Sequence, residues 1–368
     1  MKIFWLFNHP APYKIDFFNE LGKEVELTAM FIRDEEYVRN ATFYSASPRN
    51  FIALYVHAKK IGDVNSNSRV PLKHLKSHKY DIVVINGYRS FTEMRVISYL
   101  KRKKIPYIFY INGGIIKKEN FLVKALKKHF IKGANAYLCP DENSMAYLVH
   151  YGADPKSVSL YPYSSVKEEE VLKKPLTKEQ KRDIRKEYGL PEGKLFVSTG
   201  FFIERKNFVS LISIFAKYQE PSTLLLIGEG EQEKAMRDKI AELKLNNVII
   251  MPFKEHKELL RILSSCDAFL FLSKEDIYGH VIEEALSQGL PVMSSSGVNA
   301  AKHLIRDGVN GFVVDVHDEE GILKAMSNLT RRGMTEQSLA VAKDNTILST
   351  LNHHLTYFAE YYERLKSK

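Results

Sequence analysis

The chain has 368 residues, with 45% hydrophobic and 27% charged. That balance excludes a mostly disordered chain, a collagen-like fibre and a disulfide scaffold, and the length favours two domains. The formal net charge is +10, and all of the excess is in one half: residues 1–165 hold 25 Lys/Arg against 14 Asp/Glu, residues 166–368 hold 29 against 30. Such asymmetry points to a polyanionic partner, either nucleic acid, an anionic membrane or a phosphorylated substrate. No RNA-binding aromatic motif or zinc finger accompanies it, so no nucleic-acid partner is expected.

The start, Met1-Lys-Ile-Phe-Trp-Leu-Phe-Asn-His-Pro10, carries an apolar stretch of five residues. A signal peptide needs ~7–15, so the stretch reads as a first buried strand. No run approaches the ~18 apolar residues of a membrane span. Cys139 and Cys266 each lie in an apolar run without a second Cys or a His at ligand spacing. They read as reduced core residues of a cytoplasmic protein rather than metal ligands.

Further strands are expected at Glu26–Phe31, Ile82–Ile85, Tyr107–Ile111 and Ala136–Leu138. A second series follows at Leu195–Ser198, Leu224–Ile227, Val248–Met251, Ala268–Leu272, Pro291–Met293 and Phe312–Val314. Amphipathic helical stretches lie between them, such as Phe91–Lys101, Leu211–Tyr218, Gln232–Leu243 and His256–Ser265. Alternating strand and helix predicts parallel sheets covered by helices, and eleven strands are easier to build as two sheets than as one. Residues 34–70 are the least regular and read as loops. The boundary is placed at Ser164–Leu176, a charged segment with Pro175 that precedes a fresh helix at Lys178–Tyr188. This gives domains of 1–164 and 165–350, and Leu351–Leu365 reads as a final helix with Leu355, Phe358, Tyr361 and Tyr362 on its apolar face.

The densest basic segment is Lys117–Lys132, where Phe121, Leu122, Ala125, Leu126 and Phe130 recur at helical spacing among lysines. The ordinary expectation is a helix packing that stripe on its sheet. Its lysines then face either solvent or the headgroups of an anionic membrane.

Ligands of such sheets bind beyond the carboxyl ends of the strands, so the loops after strands carry the chemistry. In Ser198-Thr-Gly-Phe-Phe-Ile-Glu-Arg-Lys-Asn207, Gly200 permits the turn. Arg205 and Lys206 stand just before a helix, where cations do not help the helix dipole and a bound diphosphate would explain them. In Ile227-Gly-Glu-Gly230, Gly228 and Gly230 allow close backbone approach to a ligand. In Ser273-Lys-Glu-Asp-Ile-Tyr-Gly-His-Val-Ile-Glu-Glu-Ala-Leu-Ser-Gln-Gly-Leu-Pro-Val292, Gly279 opens a helix, and the N–H groups of Tyr278, Gly279 and His280 could cradle phosphate oxygens. Acids flank that turn at two like spacings, Glu275 with Glu283 and Asp276 with Glu284. His9, which follows the first strand, is a further candidate for a substrate contact.

This last segment resembles the signature of glycosyltransferase family four, retaining enzymes of GT-B fold that use nucleotide-sugar donors. Setting Tyr278-Gly279 on its aromatic-glycine and Gly289-Leu-Pro-Val292 on its end places the paired acids at Asp276 and Glu284. Asp276 stands where the family usually has Glu, and the Glu275–Glu284 segment is similar to a variant found in bacterial polysaccharide enzymes. Gly200–Lys206 resembles the family's glycine-Arg…Lys loop, with Phe201 in place of the arginine and Arg205 nearby. Asp307-Gly-Val-Asn-Gly-Phe312 resembles a later family turn. Pro10-Ala-Pro-Tyr-Lys14, which includes Tyr13, resembles the acceptor-side loop. Asn112-Gly113-Gly114 sits where many members carry a His or Asp near the transferred sugar.

The resemblance implies an α/β GT-B chain: two Rossmann-like doubly wound parallel-sheet domains facing across a cleft, with the helix at 351–368 crossing back to the first. It implies transfer of a sugar, from a UDP-sugar by preference, to a glycan acceptor. Lys206 and Arg205 would neutralise the departing diphosphate and Asp276 would hold sugar hydroxyls. Glu284 would bind the ribose, with Gly200, Gly228, Gly230, Ile277, Tyr278, Gly279 and His280 completing the donor site. His9, Pro10, Tyr13, Asn112 and Gly113 are the acceptor-side candidates. Neither cofactor nor metal is expected. With the basic first half, the acceptor is expected to be a lipid-linked surface polysaccharide at the cytoplasmic face of the membrane, the protein attaching peripherally to anionic lipid. The alternatives are a sucrose- or glycogen-type transferase and a non-catalytic two-domain sugar-binding protein.

Overall fold

The computed structural model describes residues 1–32, 47–56, 59–61 and 65–367. Much of the 34–70 region read as loops lies outside the described residues. The chain divides into two compact units, Met1–Ser164 with Ile347–Lys368, and Ser165–Thr346.

The first unit holds β1 (Lys2–Phe7), β2 (Glu26–Phe31), β3 (Ile52–Tyr55), β4 (Lys59–Ile61), β5 (Asn65–Asn67), β6 (Ile82–Asn86), β7 (Ile108–Tyr110), β8 (Ala136–Cys139) and β9 (Val158–Leu160). Seven of them form one sheet in the order β3-β2-β1-β6-β7-β8-β9, and β4 and β5 pair separately. All pairings in the large sheet are parallel. Ile3–Phe7 is buried throughout, as a strand covered on both faces requires.

The second unit holds β10 (Lys194–Thr199), β11 (Ser222–Ile227), β12 (Val248–Met251), β13 (Ala268–Phe271), β14 (Val292–Ser295) and β15 (Gly311–Val314). They form one parallel sheet in the order β12-β11-β10-β13-β14-β15. In each unit the strand order reverses beside the first strand, between β1 and β6 and between β10 and β13. The crevice outside the carboxyl ends at that point is where doubly wound sheets take ligands.

All eleven expected strands are present. The additional ones, β3, β9 and the β4–β5 pair, are sheet edges or a separate ribbon. β3 and β9 pair on one side only, so they need no long apolar run. Two helices begin at reciprocal capping boxes: Ser90 with Glu93 before Phe91–Lys103, and Thr177 with Gln180 before Lys178–Glu187.

The last helix, Ile347–Lys366, starts a turn before the expected Leu351 and buries Ile347, Thr350, Leu351, His354, Phe358 and Tyr361. The expected apolar face named Phe358 and Tyr361 but not His354. His354 lies among Trp5, Phe17, Tyr110 and Tyr161, with ring centroids 4.9–5.9 Å away.

The basic helix spans Phe121–Ile131, capped by the Asn120 side chain. Its expected packing is overturned: Phe121 is 80% exposed, Leu122 76% and Leu126 49%, and only Phe130 and Ile131 are buried. Periodicity located the stripe but could not say which side of the helix meets the sheet. Among the described residues, no helix is long and apolar enough to cross a membrane.

Candidate functional site

In the second unit, β10 and β13 are parallel neighbours, with Phe196 opposite Ala268. The loops that leave their carboxyl ends therefore run side by side. The first continues as Gly200–Ile203 into a single 3-10 turn, Glu204–Lys206, before the helix Phe208–Phe215. The second is Ser273–His280. The Arg205 carbonyl accepts from the Lys274 N–H at 2.7 Å and from Ser273 Oγ at 3.1 Å, and Arg205 itself donates to the Glu275 carbonyl at 3.0 Å.

These backbone ties bring Lys206 onto Asp276, although the two are far apart in sequence. The Lys206 ammonium pairs directly with the Asp276 carboxylate and lies 4.6 Å from the Phe271 ring centroid. Arg205 approaches the other Asp276 oxygen at 3.8 Å from a half-exposed position. Lys206 is buried at 9% exposure. A buried ammonium needs a fixed anion or a ligand to replace it. The pair can therefore exchange partners, the ammonium turning to an anionic ligand and the carboxylate to hydroxyl donors.

The far side of the Ser273–His280 loop is held by the segment after β14. Asp276 N–H donates to the Gly297 carbonyl at 3.0 Å, Ala300 N–H to the Tyr278 carbonyl at 2.8 Å, and Asn299 Nδ2 to the Ile277 carbonyl at 2.9 Å. Tyr278 is buried, whereas Ile277 is exposed. The expected helix start shifts: Gly279 and His280 precede it, and the helix runs Val281–Ser287.

Gly228 and Gly230 hold φ of +156° and +150°. A Cβ on Gly228 would stand 2.0 Å from the Gly200 carbonyl oxygen, and one on Gly230 2.6 Å from that of Phe202. The close approach that these glycines permit is thus to the backbone of the neighbouring loop, which they lock beside Lys206.

The two adjacent glutamates differ sharply. Glu283 is buried, and one of its carboxylate oxygens accepts from Ser165 N–H at 2.6 Å, Ser165 Oγ at 2.7 Å and His280 Nδ1 at 2.6 Å. The other accepts from Asn345 Nδ2 at 3.1 Å. Glu283 thereby grips both ends of the unit. Glu284 is part-buried and faces His256, whose Nδ1 lies 3.7 Å away, while His256 Nε2 is 3.2 Å from Glu170.

Burial raises the Glu284 carboxyl above the ordinary glutamate range, opposed by the charges of His256 and His280. Burial also disfavours charge on His256, but the hydrogen bond to Glu170 and the two carboxylates outweigh it and hold the imidazolium up to about 9. His256 and Glu170 escaped the sequence reading. The available signal was position, because His256 opens the helix His256–Ser265 just past the carboxyl end of β12.

In the first unit, His9 and Pro10 lie in the loop between β1 and the helix Pro12–Glu24. Asn112 and Gly113 follow β7, with β6 between the two strands. Tyr13 meets the Tyr163 hydroxyl at 3.1 Å. Asn112 Oδ1 lies 3.5 Å from the Tyr161 hydroxyl, which donates to the Ile111 carbonyl at 3.0 Å. Beneath them the buried Lys14 donates to the Tyr110 hydroxyl at 3.0 Å and sits 4.4 Å from the Tyr163 ring centroid.

Residues 180–343 match the family model of glycosyl transferases group 1. The chain is 28% identical over 179 residues to the lipopolysaccharide core biosynthesis glycosyltransferase LpsE of Rhizobium meliloti, covering 48% of this chain and 51% of that protein. It is 24% identical over 137 residues, 37% of each chain, to the N-acetylgalactosamine-N,N'-diacetylbacillosaminyl-diphospho-undecaprenol 4-alpha-N-acetylgalactosaminyltransferase of Campylobacter jejuni. The chain thus spans about half or less of the length of these relatives. Among solved structures, Anabaena HepE in complex with UDP superposes over 100% of both chains with a TM-score of 0.74 at 17% identity, a likeness of fold. The second unit thus carries, at residues 180–343, a match to the glycosyl transferases group 1 family, and the chain has a GT-B fold.

Proposed function

We propose that the protein is a retaining glycosyltransferase that moves a sugar from a UDP-sugar to a growing, lipid-linked surface polysaccharide. The observation that carries this reading is the Lys206–Asp276 pair with Arg205, set by backbone ties at the strand-order reversal of a glycosyl transferases group 1 domain. On binding, the donor splits the pair. Its diphosphate takes the Lys206 ammonium and the Arg205 guanidinium, and its sugar hydroxyls take the Asp276 carboxylate. Fixed cations aimed at the leaving diphosphate stabilise charge that grows in the transition state. Glu284, facing His256, accepts from the ribose hydroxyls. The acceptor hydroxyl attacks on the face that the diphosphate leaves, and a leaving phosphate oxygen takes its proton, so no protein nucleophile is required.

The acceptor belongs with the loops of His9, Pro10, Tyr13, Asn112 and Gly113. A lipid-linked acceptor agrees with the confinement of excess positive charge to residues 1–165 and with the names of the Rhizobium and Campylobacter relatives. It also calls for peripheral attachment to an anionic membrane at its cytoplasmic face. UDP is favoured among nucleotides by the name of the Anabaena structure.

The test is a screen of UDP-, GDP- and dTDP-sugars by thermal shift and donor hydrolysis, with the anomeric configuration of the product read by NMR. A UDP-sugar should stabilise the protein and yield product of the donor's own configuration. Stabilisation by none of the donors, or an inverted product, would overturn the reading.

A further inference from the structure

The helix Phe121–Ile131 presents to solvent the side that an ordinary helix hides. At ~100° per residue, Phe121, Leu122, Ala125 and Leu126 fall in one sector of the wheel. Ile131 and the stem of Lys127 fall on the opposite side, and Phe130 lies at the border next to Leu126. Phe130 and Ile131 are in the core, whereas Phe121, Leu122, Val123 and Leu126 are exposed. Ile116, in the segment before the helix, is exposed as well.

Lysines border the apolar sector. Lys117 and Lys118 precede it, Lys124 and Lys128 run along one edge, and Lys132 follows; all five are exposed. A shallow, mostly apolar groove beside the helix is lined by Phe121, Ala125, Lys101, Lys124, Lys128 and Lys132. Lys127 takes no part in this surface. Its ammonium is 2.5 Å from Glu119 and 4.9 Å from the Tyr151 ring centroid, which anchors the helix to the unit.

We infer that this helix is a membrane-insertion element. It lies in the plane of an anionic bilayer with Phe121, Leu122 and Leu126 among the upper acyl chains and its lysines at the phosphates. The inference rests on the membrane reading above and adds to it the element and the mode. Charge complementarity selects the occupant. A second copy of the chain would bring the same lysines face to face, whereas anionic headgroups neutralise them. An apolar ridge within a ring of lysines is what an interfacial helix presents to lipid. Attachment therefore has two components, and only the lysine part is screened by salt.

The full chain should co-sediment with phosphatidylglycerol-containing vesicles and only weakly with pure phosphatidylcholine. Part of the binding should survive ~1 M salt, where the Debye length is ~3 Å. The variant Phe121→Ser/Leu122→Gln/Leu126→Gln changes only exposed side chains and should keep its circular dichroism. It should lose about tenfold or more of its vesicle affinity and all of its salt-resistant fraction. In a separate Phe121→Trp variant, emission should shift to the blue on anionic vesicles, while the single native tryptophan, the buried Trp5, stays constant.

Wild-type binding that the triple variant retains in full would overturn insertion and leave the membrane reading standing. Failure of the wild type to sediment at any salt would overturn both. A wild-type dimer that the triple variant dissociates, without lipid binding, would assign the face to a second copy and overturn the inference.

Discussion

Both units use the same strand order, yet they finish the carboxyl ends of their sheets with opposite chemistry, and their histidines show it most plainly. In the first unit, His354 is fully buried among Trp5, Phe17, Tyr110 and Tyr161. Its Nδ1 donates to the Thr350 carbonyl at 2.7 Å, and its Nε2 meets no hydrogen-bond partner among the described residues. Burial pushes it down to about 3. In the second unit, His256 stands between Glu170 and Glu284 and is held up to about 9. The difference teaches that the shared topology supplies a place for ligands but not a chemistry. One end is an aromatic wall around a buried lysine, while the other is a set of ion pairs that a ligand can exchange.

The largest expected effect tests the aromatic side. Because folded His354 resists protonation, the unfolded chain binds the extra proton as pH falls below 6.5. Stability is then lost progressively down to about 3. The full shift corresponds to roughly 4–5 kcal/mol. His354→Phe should remove this acid lability, seen as a flatter dependence of urea midpoint on pH between 6.5 and 3. An unchanged slope would mean that His354 is not the group responsible.

On the ionic side, Lys206→Ala should cut turnover ~100-fold or more, equivalent to ~3–4 kcal/mol of lost charge stabilisation, with Tm nearly unchanged because Arg205 stays beside Asp276. Steady-state kinetics on the purified variant checks it, and near-normal turnover would remove Lys206 from the site.

The next comparison separates neighbours. Glu283→Gln should lower stability by ~2–3 kcal/mol, since an acceptor-only group loses capacity in a buried clamp. Glu284→Gln should keep its Tm and raise the UDP dissociation constant about tenfold, ~1.4 kcal/mol. Denaturation and calorimetry on the two variants read both quantities. Reversed outcomes would shift the site by one residue.

The smallest effect is His256→Gln. The charge of His256 contributes stability in full below 6.5 and loses it as pH rises through about 9. The site is part-exposed and the contribution is screened to within ~1 kcal/mol. Wild type and variant should therefore differ in Tm at neutral pH and converge above about 9. In the variant, the acid limb of UDP binding should move to higher pH, because Glu284 loses the cation that opposes its burial.

The alternation of apolar runs and amphipathic stretches made both sheets legible, because a strand covered on two faces is written as a continuous run such as Ile3–Phe7. The edges were less so, since β9, Val158–Leu160, pairs on one side and is only part-buried. The loops bearing Lys206 and Asp276, and the helix start bearing Glu284, could be read from charge and glycine placement. What could not be read was non-local. That Lys206 would rest on Asp276 depends on which strands are neighbours. That Glu283 would be consumed by Ser165 and Asn345 depends on where the chain enters and leaves the unit. The side of the Phe121–Ile131 stripe that meets the sheet likewise depends on a partner surface, which periodicity does not encode.

The grip of Glu283 on Ser165 and Asn345 has a consequence for the order of events on the ribosome. The second unit is one uninterrupted stretch whose two ends are fastened together. The first unit is split around it and lacks Ile347–Lys366 until the whole second unit has been made. Until then Trp5 and Phe17 wait without His354 and Phe358, an uncovered apolar face for chaperones to shield. By then the second unit can be complete. Its joined ends deliver the last helix next to Ser164, so the first unit closes without the entropy cost of a long free loop.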